Sequence, residues 1–386
     1  MLSNRLPAHA ETNALSRAVE SLRRDGTPVI DLTASNPTRV GIAYPPDLLS
    51  ALSAERALHY EPHPLGLASA RKAVADDFAR RGVEVDPGGI VLAASTSEAY
   101  TWVFKLLCDP GTSVLVPQPS YPLFEHLTRL ESVRAVPYNL TYHGRWEIDF
   151  ESVAAAPDDT KALLLVSPNN PTGSYVSPSE ATRLADLCRE RGWAIVADEV
   201  FAEYPVEAQQ PATEIVRDRA VLSFTLGGAS KALGLPQVKV AWMLVNGPRV
   251  ARDEALAGLE LIADTFLSVG TPVQVALPDL FARAAVVRRA IQDRIAANIT
   301  RAREVARRYV SCDLLTVEGG WSAVIRVPAV RAEDAFVIDL LRREHILVHP
   351  GYFFDFPHEA FLIVSLLPPE DVFADALDRV LRLASS

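Results

Sequence analysis

The sequence predicts an α/β fold with two parts: a large three-layer domain with a mostly parallel sheet, and a smaller α+β domain. Short apolar runs alternate with amphipathic helical segments over most of the 386 residues. These runs are bounded by turn residues, which is typical of strands that are covered by helices on both faces. After about residue 285 the pattern changes to a long Arg-rich helix, followed by mixed strands and helices.

The elements follow from these patterns in chain order. Residues 12–25 have the period of an amphipathic helix that ends at Gly26, and a short strand follows at 29–33. Further helices are predicted at 67–81, 98–108, 121–131, 178–191, 283–309, 332–343 and from 369 onward. Further strands are predicted at 90–93, 113–116, 133–137, 161–166, 193–197, 221–224, 240–245, 314–317, 322–327, 346–348 and 361–365.

We expect three parts along the chain. An N-terminal segment of residues 1–45 should pack with the small domain. Residues 46–285 should form the large domain that holds a cofactor, and residues 286–386 the small C-terminal domain.

Composition and charge exclude several classes of function. The net charge is −10 and no long Lys/Arg run occurs, so a nucleic-acid partner is not expected. The first residues have no apolar signal core, and no run approaches the roughly 18 apolar residues of a membrane span. The three cysteines are far apart, which favours a reducing, cytoplasmic location. The eight histidines lack metal-ligand spacing, and no metal site is predicted.

Two strand ends carry residues with acid–base or nucleophilic chemistry. Lys231 lies in the small-residue loop Gly-Gly-Ala-Ser-Lys, where desolvation would lower its pKa and make it a nucleophile toward a carbonyl. A surface lysine in a loop is the alternative. Asp198 directly follows an apolar strand, at the edge where open α/β sheets bind ligands. A loop acid or helix cap is the alternative for this residue.

Two other strand ends present hydrogen-bond donors. Asn170 lies in the Pro-stiffened turn after the 161–166 strand, where an ordinary turn is the alternative. Ser95, Thr96 and Ser97 begin a helix, and hydroxyl and N–H groups at such an end can bind phosphate. The alternative is a capping box between Ser95 and Glu98, which would use some of the same donors. Together, the four strand ends supply a phosphate nest, an amide, a carboxylate and an amine, which a phosphorylated pyridine aldehyde requires.

This pattern resembles the fold-type I pyridoxal-phosphate enzymes, specifically the class I and II aminotransferases, over nearly the whole chain. The resemblance depends on four motifs in combination: Pro119-Ser120-Tyr121-Pro122, Asn170-Pro171-Thr172-Gly173, Asp198-Glu199 and Ser230-Lys231. It implies pyridoxal 5'-phosphate as the cofactor and a homodimer as the assembly.

The resemblance also implies a role for each matching residue around the pyridine ring. Lys231 would form the internal aldimine, and Asp198 would keep the pyridine nitrogen protonated. Asn170 would bind the ring 3-oxygen, and Tyr121 would stack on the ring.

The phosphate of the cofactor has its own set of matching residues. Thr96, Ser97 and Ser230 would hold it, together with the nest that begins at Ser95. Tyr60 matches a tyrosine that family members lend to the partner's phosphate across the dimer interface.

Three positions depart from the family pattern. Phe201 replaces a tyrosine that donates to the same 3-oxygen, so the aldimine should lose its proton at higher pH. Lys239 stands where the phosphate arginine is usual, and keeps the charge without the bidentate fork. Ile363 stands where an arginine usually clamps the substrate α-carboxylate. We consider Arg39 as its substitute, Arg326 as a weaker one, with a solvated surface arginine as the alternative.

The predicted function is transfer of an amino group from an amino acid or related amine to a keto acid or other carbonyl acceptor. The loop of residues 349–354 resembles the family's late loop that borders the site, and Tyr352 in it is a further candidate for substrate contact. A buried aromatic turn is the alternative for this loop. Because the carboxylate arginine is missing, a lyase, racemase or decarboxylase using Lys231 is the nearest alternative. A non-catalytic cofactor-binding protein is an alternative from another class.

Overall fold

The computed structural model describes residues 3–7, 13–207 and 218–386. It confirms the predicted α/β class, with a large, mainly parallel sheet and a smaller antiparallel sheet in the C-terminal part. Residue 12, where the first predicted helix begins, lies outside the described residues, as does part of the predicted 1–45 segment.

The strands are short and mostly buried. In chain order they are β1 Ile30–Asp31, β2 Ile90–Ala93, β3 Ser113–Gln118, β4 Arg134–Tyr142, β5 Trp146–Ile148, β6 Thr160–Val166, β7 Ala194–Asp198, β8 Ser223–Gly228, β9 Ala241–Asn246, β10 Asp313–Leu314, β11 Ser322–Arg326, β12 Ile346–Leu347, β13 His349–Pro350 and β14 Phe361–Ser365.

The α-helices alternate with the strands of the large sheet and then dominate the chain. They are α1 Ala14–Arg24, α2 Ala68–Arg80, α3 Thr96–Leu107, α4 Phe124–Leu130, α5 Phe150–Ala154, α6 Pro178–Arg191, α7 Ala229–Ala232, α8 Arg249–Phe266, α9 Thr271–Arg283, α10 Ala285–Ala306, α11 Glu333–Glu344 and α12 Glu370–Ala384.

The large sheet has eight strands in the order β2-β9-β8-β7-β6-β3-β4-β5. Its five central strands, β8, β7, β6, β3 and β4, are parallel to one another. β9 is antiparallel both to β8 and to β2, so β2 runs in the same direction as the central strands. Strand ends that follow one another in sequence therefore meet at one edge of the sheet.

Both faces of this sheet are covered, which explains the uninterrupted apolar runs. In β7, Ile195 and Val196 belong to two different core clusters, because successive side chains of a strand point to opposite faces. Trp102 of α3 and Leu259 of α8 pack with Val196, whereas Leu184 of α6 packs with Ile195.

The smaller sheet is antiparallel, in the order β10-β11-β14-β13. The N-terminal segment joins this part of the chain, because β1 pairs in parallel with β12. In addition, the Ser365 N–H donates to the carbonyl of Leu32 at 2.6 Å. These contacts fit the expected packing of the N-terminal segment with the small domain, while the domain boundaries stay a prediction.

The predicted 283–309 helix is present as α10, which follows α9 at Ala284. Four other elements differ from the sequence expectations. Helices α8 and α9 were not predicted, and α9 contains Pro278, which sequence rules treat as a helix breaker. The expected 314–317 strand is reduced to β10, and a hairpin to β5 extends the strand expected at 133–137.

Candidate active site

The candidate site lies where the strands of the large sheet end. β2, β3, β6, β7 and β8 all run in one direction, and the segments that follow them line a cavity of about 710 Å³. In open α/β sheets this is the edge at which ligands bind. The cavity brings together most of the predicted cofactor residues: Ser95, Thr96, Ser97, Tyr121, Asn170, Asp198, Phe201, Ser230, Lys231 and Lys239.

Asp198, the last residue of β7, is 7% exposed and holds two hydrogen bonds. Its Oδ1 accepts from the N–H of Val200 and its Oδ2 from the hydroxyl of Tyr100, each at 3.0 Å. Burial raises the pKa of the carboxyl to about 6, opposed by these two hydrogen bonds and by the Lys231 ammonium. At neutral pH, the carboxylate is therefore mostly ionised and can pair with a protonated ring nitrogen.

Lys231 lies in the short helix α7, directly after β8. Burial lowers the pKa of its amine to about 8, although the Asp198 carboxylate raises it. Its Nζ lies 4.7 Å from the ring centre of Trp321 and 5.6 Å from that of Phe201. The amine is thus held against aromatic faces, and a larger fraction of it is neutral at pH 7 than in a solvated lysine.

The backbone before Lys231 requires a glycine. A Cβ atom on Gly227 would lie 2.3 Å from Nε1 of Trp242 on the neighbouring strand β9. The hydroxyl of Tyr204 donates to the carbonyl of Lys231 at 2.5 Å. The close approach of β8 to β9 and this hydrogen bond fix where the lysine leaves the sheet.

The N-terminus of α3 faces the cavity. The Ser95 Oγ accepts from the N–H of Glu98 at 3.1 Å, so Ser95 caps the helix. In a capping box, the Glu98 carboxylate would accept from the N–H of Ser95. It accepts instead from the N–H of Ala94 at 2.6 Å, so only the Ser95 half of the expected capping box is formed. Thr96 and Ser97 also line the cavity, where the positive end of the helix favours an anion.

Asn170 is positioned by its neighbour. The Asn169 Nδ2 donates to the carbonyl of Pro119 at 3.0 Å, and its Oδ1 accepts from the hydroxyl of Ser120 at 2.7 Å. At the end of the turn, Gly173 has a φ of +71°, and a Cβ there would lie 2.7 Å from the Gly319 carbonyl. These contacts tie the Asn170 turn to the loop before β11.

The opposite wall of the cavity comes from β11, β13 and β14. Ile363, on β14, is 2% exposed and lines the cavity. His349 lies opposite Ile363 in the antiparallel pairing of β13 and β14. Trp321, which precedes β11, also lines this wall. Among the described residues, the cavity lining includes no arginine.

Four predicted or considered residues lie outside the cavity lining. Arg39 is exposed in a 3-10 turn, and Arg326 pairs with Asp313 on the neighbouring strand at 2.5 Å. Tyr60 is 73% exposed and Tyr352 is 42% exposed. The role predicted for Tyr60 requires a second chain, while the geometry of a single chain gives Arg39 and Tyr352 no contact with the cavity.

Sequence reasoning missed Tyr100 and Trp321, and it named the loop that begins at His349 without giving His349 itself a role. Tyr100 lies inside α3, and only its 3.0 Å hydrogen bond to Asp198 distinguishes it from other core residues of that helix. Trp321 and His349 come from the C-terminal part, more than 80 residues after Lys231 in the sequence. Trp321 directly precedes β11 and His349 begins β13, but no local pattern places them opposite the lysine.

The donor set around the cavity fits pyridoxal phosphate. A buried carboxylate, an amine of lowered pKa and an amide lie at three adjacent strand ends, and a helix N-terminus with hydroxyl groups supplies anion donors. These are the groups that the ring nitrogen, the aldehyde, the 3-oxygen and the phosphate need. In the described part of the chain, no cluster of three His, Cys, Asp or Glu side chains could hold a metal ion.

Comparison with known proteins agrees with this chemistry. The chain is 25% identical over 382 residues to the glutamate-pyruvate aminotransferase AlaA of Haemophilus influenzae, covering 94% of this chain and 92% of the relative. It is 27% identical over 386 residues to the alanine aminotransferase of Mycobacterium tuberculosis, covering 93% and 86%. The crystal structure of an Escherichia coli aminotransferase matches with a TM-score of 0.89 at 24% identity, covering 100% of this chain and 98% of that one.

The family assignment rests on a match that covers most of the chain. The family described as aminotransferase class I and II matches residues 27–379, which includes every strand of the large sheet and every residue of the cavity wall except Asn13. Enzymes of this family depend on pyridoxal phosphate and transfer amino groups. The chain belongs to the class I and II aminotransferases of fold type I, and it is a pyridoxal-phosphate-dependent transferase.

Proposed function

We propose that the cavity at the carboxyl edge of the large sheet holds pyridoxal phosphate and carries out amino-group transfer with Lys231 and Asp198 as its catalytic residues. The observation that carries this proposal is that the buried Asp198 carboxylate and the Lys231 amine line one cavity. Asn170 and Tyr121 would contact the ring. Ser95, Thr96, Ser97, Ser230 and Lys239 would hold the phosphate.

Each side chain has a distinct task in this proposal. When bound, the cofactor supplies a ring that accepts the electron pair left on the substrate carbon after its proton is removed. Asp198 keeps the proton on the ring nitrogen, and Tyr100 and Val200 keep the carboxylate oriented. Once freed, the Lys231 amine takes a proton from the substrate carbon and returns one to the neighbouring carbon, acting first as base and then as acid.

The substrate pair proposed is an amino acid and a 2-oxo acid. Relatives named glutamate-pyruvate aminotransferase and alanine aminotransferase make L-alanine and L-glutamate the first donors to test. The cavity volume of about 710 Å³ has room for the cofactor together with a small donor. Because Ile363 stands where an arginine usually binds the substrate carboxylate, amines without a carboxylate are also donors to test.

The proposal also includes a homodimer and a cytoplasmic location. A homodimer would allow the exposed Tyr60 of one chain to reach the partner's site, and its 73% exposure supports such a contact. The pairing of β1 with β12 supports an N-terminal segment that packs with the small domain, within the proposed division at residues 45 and 285. The three cysteines are unpaired, which fits a reducing cytoplasm. None of the described helices is long and apolar enough to cross a membrane.

A spectral half-reaction tests the proposed function. The purified protein is loaded with pyridoxal phosphate, then mixed with L-alanine, L-glutamate, amines or amino sugars, and the visible absorbance is followed. We expect at least one donor to convert the bound cofactor into pyridoxamine phosphate, which a 2-oxo acid then reverses. A lyase or decarboxylase would consume the donor without accumulating that form, and a cofactor-binding protein without activity would show neither change.

A further inference from the structure

The wall that receives the amino donor contains two buried polar atoms without a hydrogen-bond partner. Within the described part of the chain, they are Nε1 of Trp321 and Nδ1 of His349. Buried polar atoms in folded proteins are nearly always paired, so these two nitrogens stand out among the residues that line the cavity. Ser365, in the same wall, is already engaged, because its hydroxyl donates to the Ala34 carbonyl at 2.6 Å.

His349 lies at the position where a carboxylate partner is missing. It is paired directly across from Ile363 in the β13–β14 ladder, and such pairs have side chains on one face with Cβ atoms about 5 Å apart. Both residues line the cavity. An imidazole on β13 can therefore present its N–H to the space that an arginine at position 363 would otherwise reach.

The surroundings of His349 hold its ring in place. The ring centre lies 5.6 Å from that of Phe353 and 5.7 Å from that of Phe354. Burial lowers the pKa of the imidazole, while the Asp31 carboxylate raises it. At neutral pH the ring is therefore mostly neutral, and in the tautomer with a proton on Nδ1 it is a donor without a partner.

From this geometry we propose that His349 binds the carboxylate of the amino donor, in the place that Ile363 leaves without a cation. Trp321, on the same wall, has the other nitrogen without a partner, its Nε1. The proposal rests on the proposed function, because it assigns the substrate class of the same site: donors that carry a carboxylate on the carbon bearing the amine. A neutral imidazole binds a carboxylate through one hydrogen bond, so the discrimination should be weaker than with a bidentate arginine.

Two stable adducts test the contact without turnover. N-(5'-phosphopyridoxyl)-L-alanine and N-(5'-phosphopyridoxyl)ethylamine differ only in the carboxylate, and their dissociation constants are measured on the full chain freed of cofactor. The variants are His349→Phe, which keeps an aromatic ring against Phe353 and Phe354, and His349→Asn, whose amide can replace the Nδ1 donor. His345→Asn is the matched control, since His345 Nδ1 is also buried and unpartnered but lies outside the cavity lining.

We expect the wild type and His345→Asn to bind the alanine adduct about 10-fold or more tightly than the ethylamine adduct. In His349→Phe the ratio should fall to about one through loss of affinity for the alanine adduct alone, and His349→Asn should restore part of it. Equal binding of both adducts by the wild type, or an unchanged ratio in His349→Phe, would overturn the proposal. If His349→Phe binds neither adduct, His349→Leu replaces it and its ratio decides.

The outcome is separable from the proposed function. If the ratio falls to about one in His349→Phe but the wild type forms no pyridoxamine phosphate with any donor, amino-group transfer is rejected and the His349 contact is kept. A wild type that transfers amino groups but shows an unchanged ratio in His349→Phe would reject only the contact.

Discussion

The two walls of the cavity differ in how closely they follow the family pattern. The wall from the large sheet presents Asp198, Lys231 and Asn170 at adjacent strand ends, in the arrangement that the resemblance implies. The wall from β11, β13 and β14 has Ile363 where an arginine is usual, and a histidine opposite it. The cofactor wall thus keeps Lys231, Asp198 and Asn170 and departs from the family pattern at Phe201 and Lys239, while the substrate wall lacks the usual arginine.

Local structure explains why the two walls can change separately. Residues of the first wall are fixed by strand ends and close backbone contacts, such as Gly227 against Trp242. Residues of the second wall lie on a separate four-stranded sheet, whose pairing does not depend on which side chain faces the cavity. A substitution at Ile363 therefore changes the substrate wall without replacing any residue of the cofactor wall.

The largest effect should come from the cofactor wall, with Lys231→Ala. Without the amine, neither covalent attachment of the cofactor nor proton transfer at the substrate carbon is possible, so turnover should fall at least about 1,000-fold. The half-reaction with the best donor measures it. Lys239→Ala, which removes an exposed lysine from the same cavity, is the control and should lose about 10-fold at most. Comparable losses in both variants would contradict the role of Lys231.

The next effect should come from Asp198→Asn. The amide keeps the shape but cannot hold a proton on the ring nitrogen, so the half-reaction rate should fall about 100-fold.

Tyr100→Phe changes the same site more mildly than Asp198→Asn. It removes the hydrogen bond that lowers the pKa of Asp198, so this pKa rises above about 6. The acid limb of the rate profile should then move to higher pH, and an unmoved limb would count against this contact.

A smaller effect is expected at Phe201, which lines the cavity near Lys231. A tyrosine hydroxyl at this position would donate to the 3-oxygen and stabilise its anionic form. Phe201→Tyr should therefore lower the pH at which the visible band of the loaded protein changes. Phe353→Tyr adds the same hydroxyl on the substrate wall and should leave the midpoint unchanged. Identical midpoints in wild type and Phe201→Tyr would reject this account.

The smallest effect should be at Arg39, the substitute considered for the missing arginine. Arg39 is exposed and does not line the cavity, so Arg39→Ala should change the apparent affinity for L-alanine by no more than about twofold. Donor titrations of the loaded protein measure this. A loss of tenfold or more would show that Arg39, and not His349 alone, serves the substrate wall.

The cofactor wall was the more predictable from sequence, for a physical reason. Its residues follow apolar strands within a few positions, and parallel strands bring such ends to one edge, so Asp198 and Asn170 could be placed together before the structure. His349 and Trp321 could not, because their position depends on how the smaller sheet packs against the larger one. Tyr100 could not be predicted as a site residue either, because nothing in the sequence around a buried helical tyrosine indicates that its hydroxyl donates to Asp198.

The helices beyond residue 246 show the same limit on a larger scale. Helix α9 was not predicted and contains Pro278, so local rules fail there. Tertiary packing decides there, as Leu277 and Leu280 of α9 are completely buried in the main core.

Borohydride reduction of the loaded protein tests the central claim most directly. Reduction fixes the pyridoxyl group to the lysine that holds it, and peptide mass spectrometry then locates the added mass. The account predicts one pyridoxyl group per chain, on the peptide that contains Lys231. A label on Lys239 or another lysine, or no label after reduction of a fully loaded protein, would contradict it.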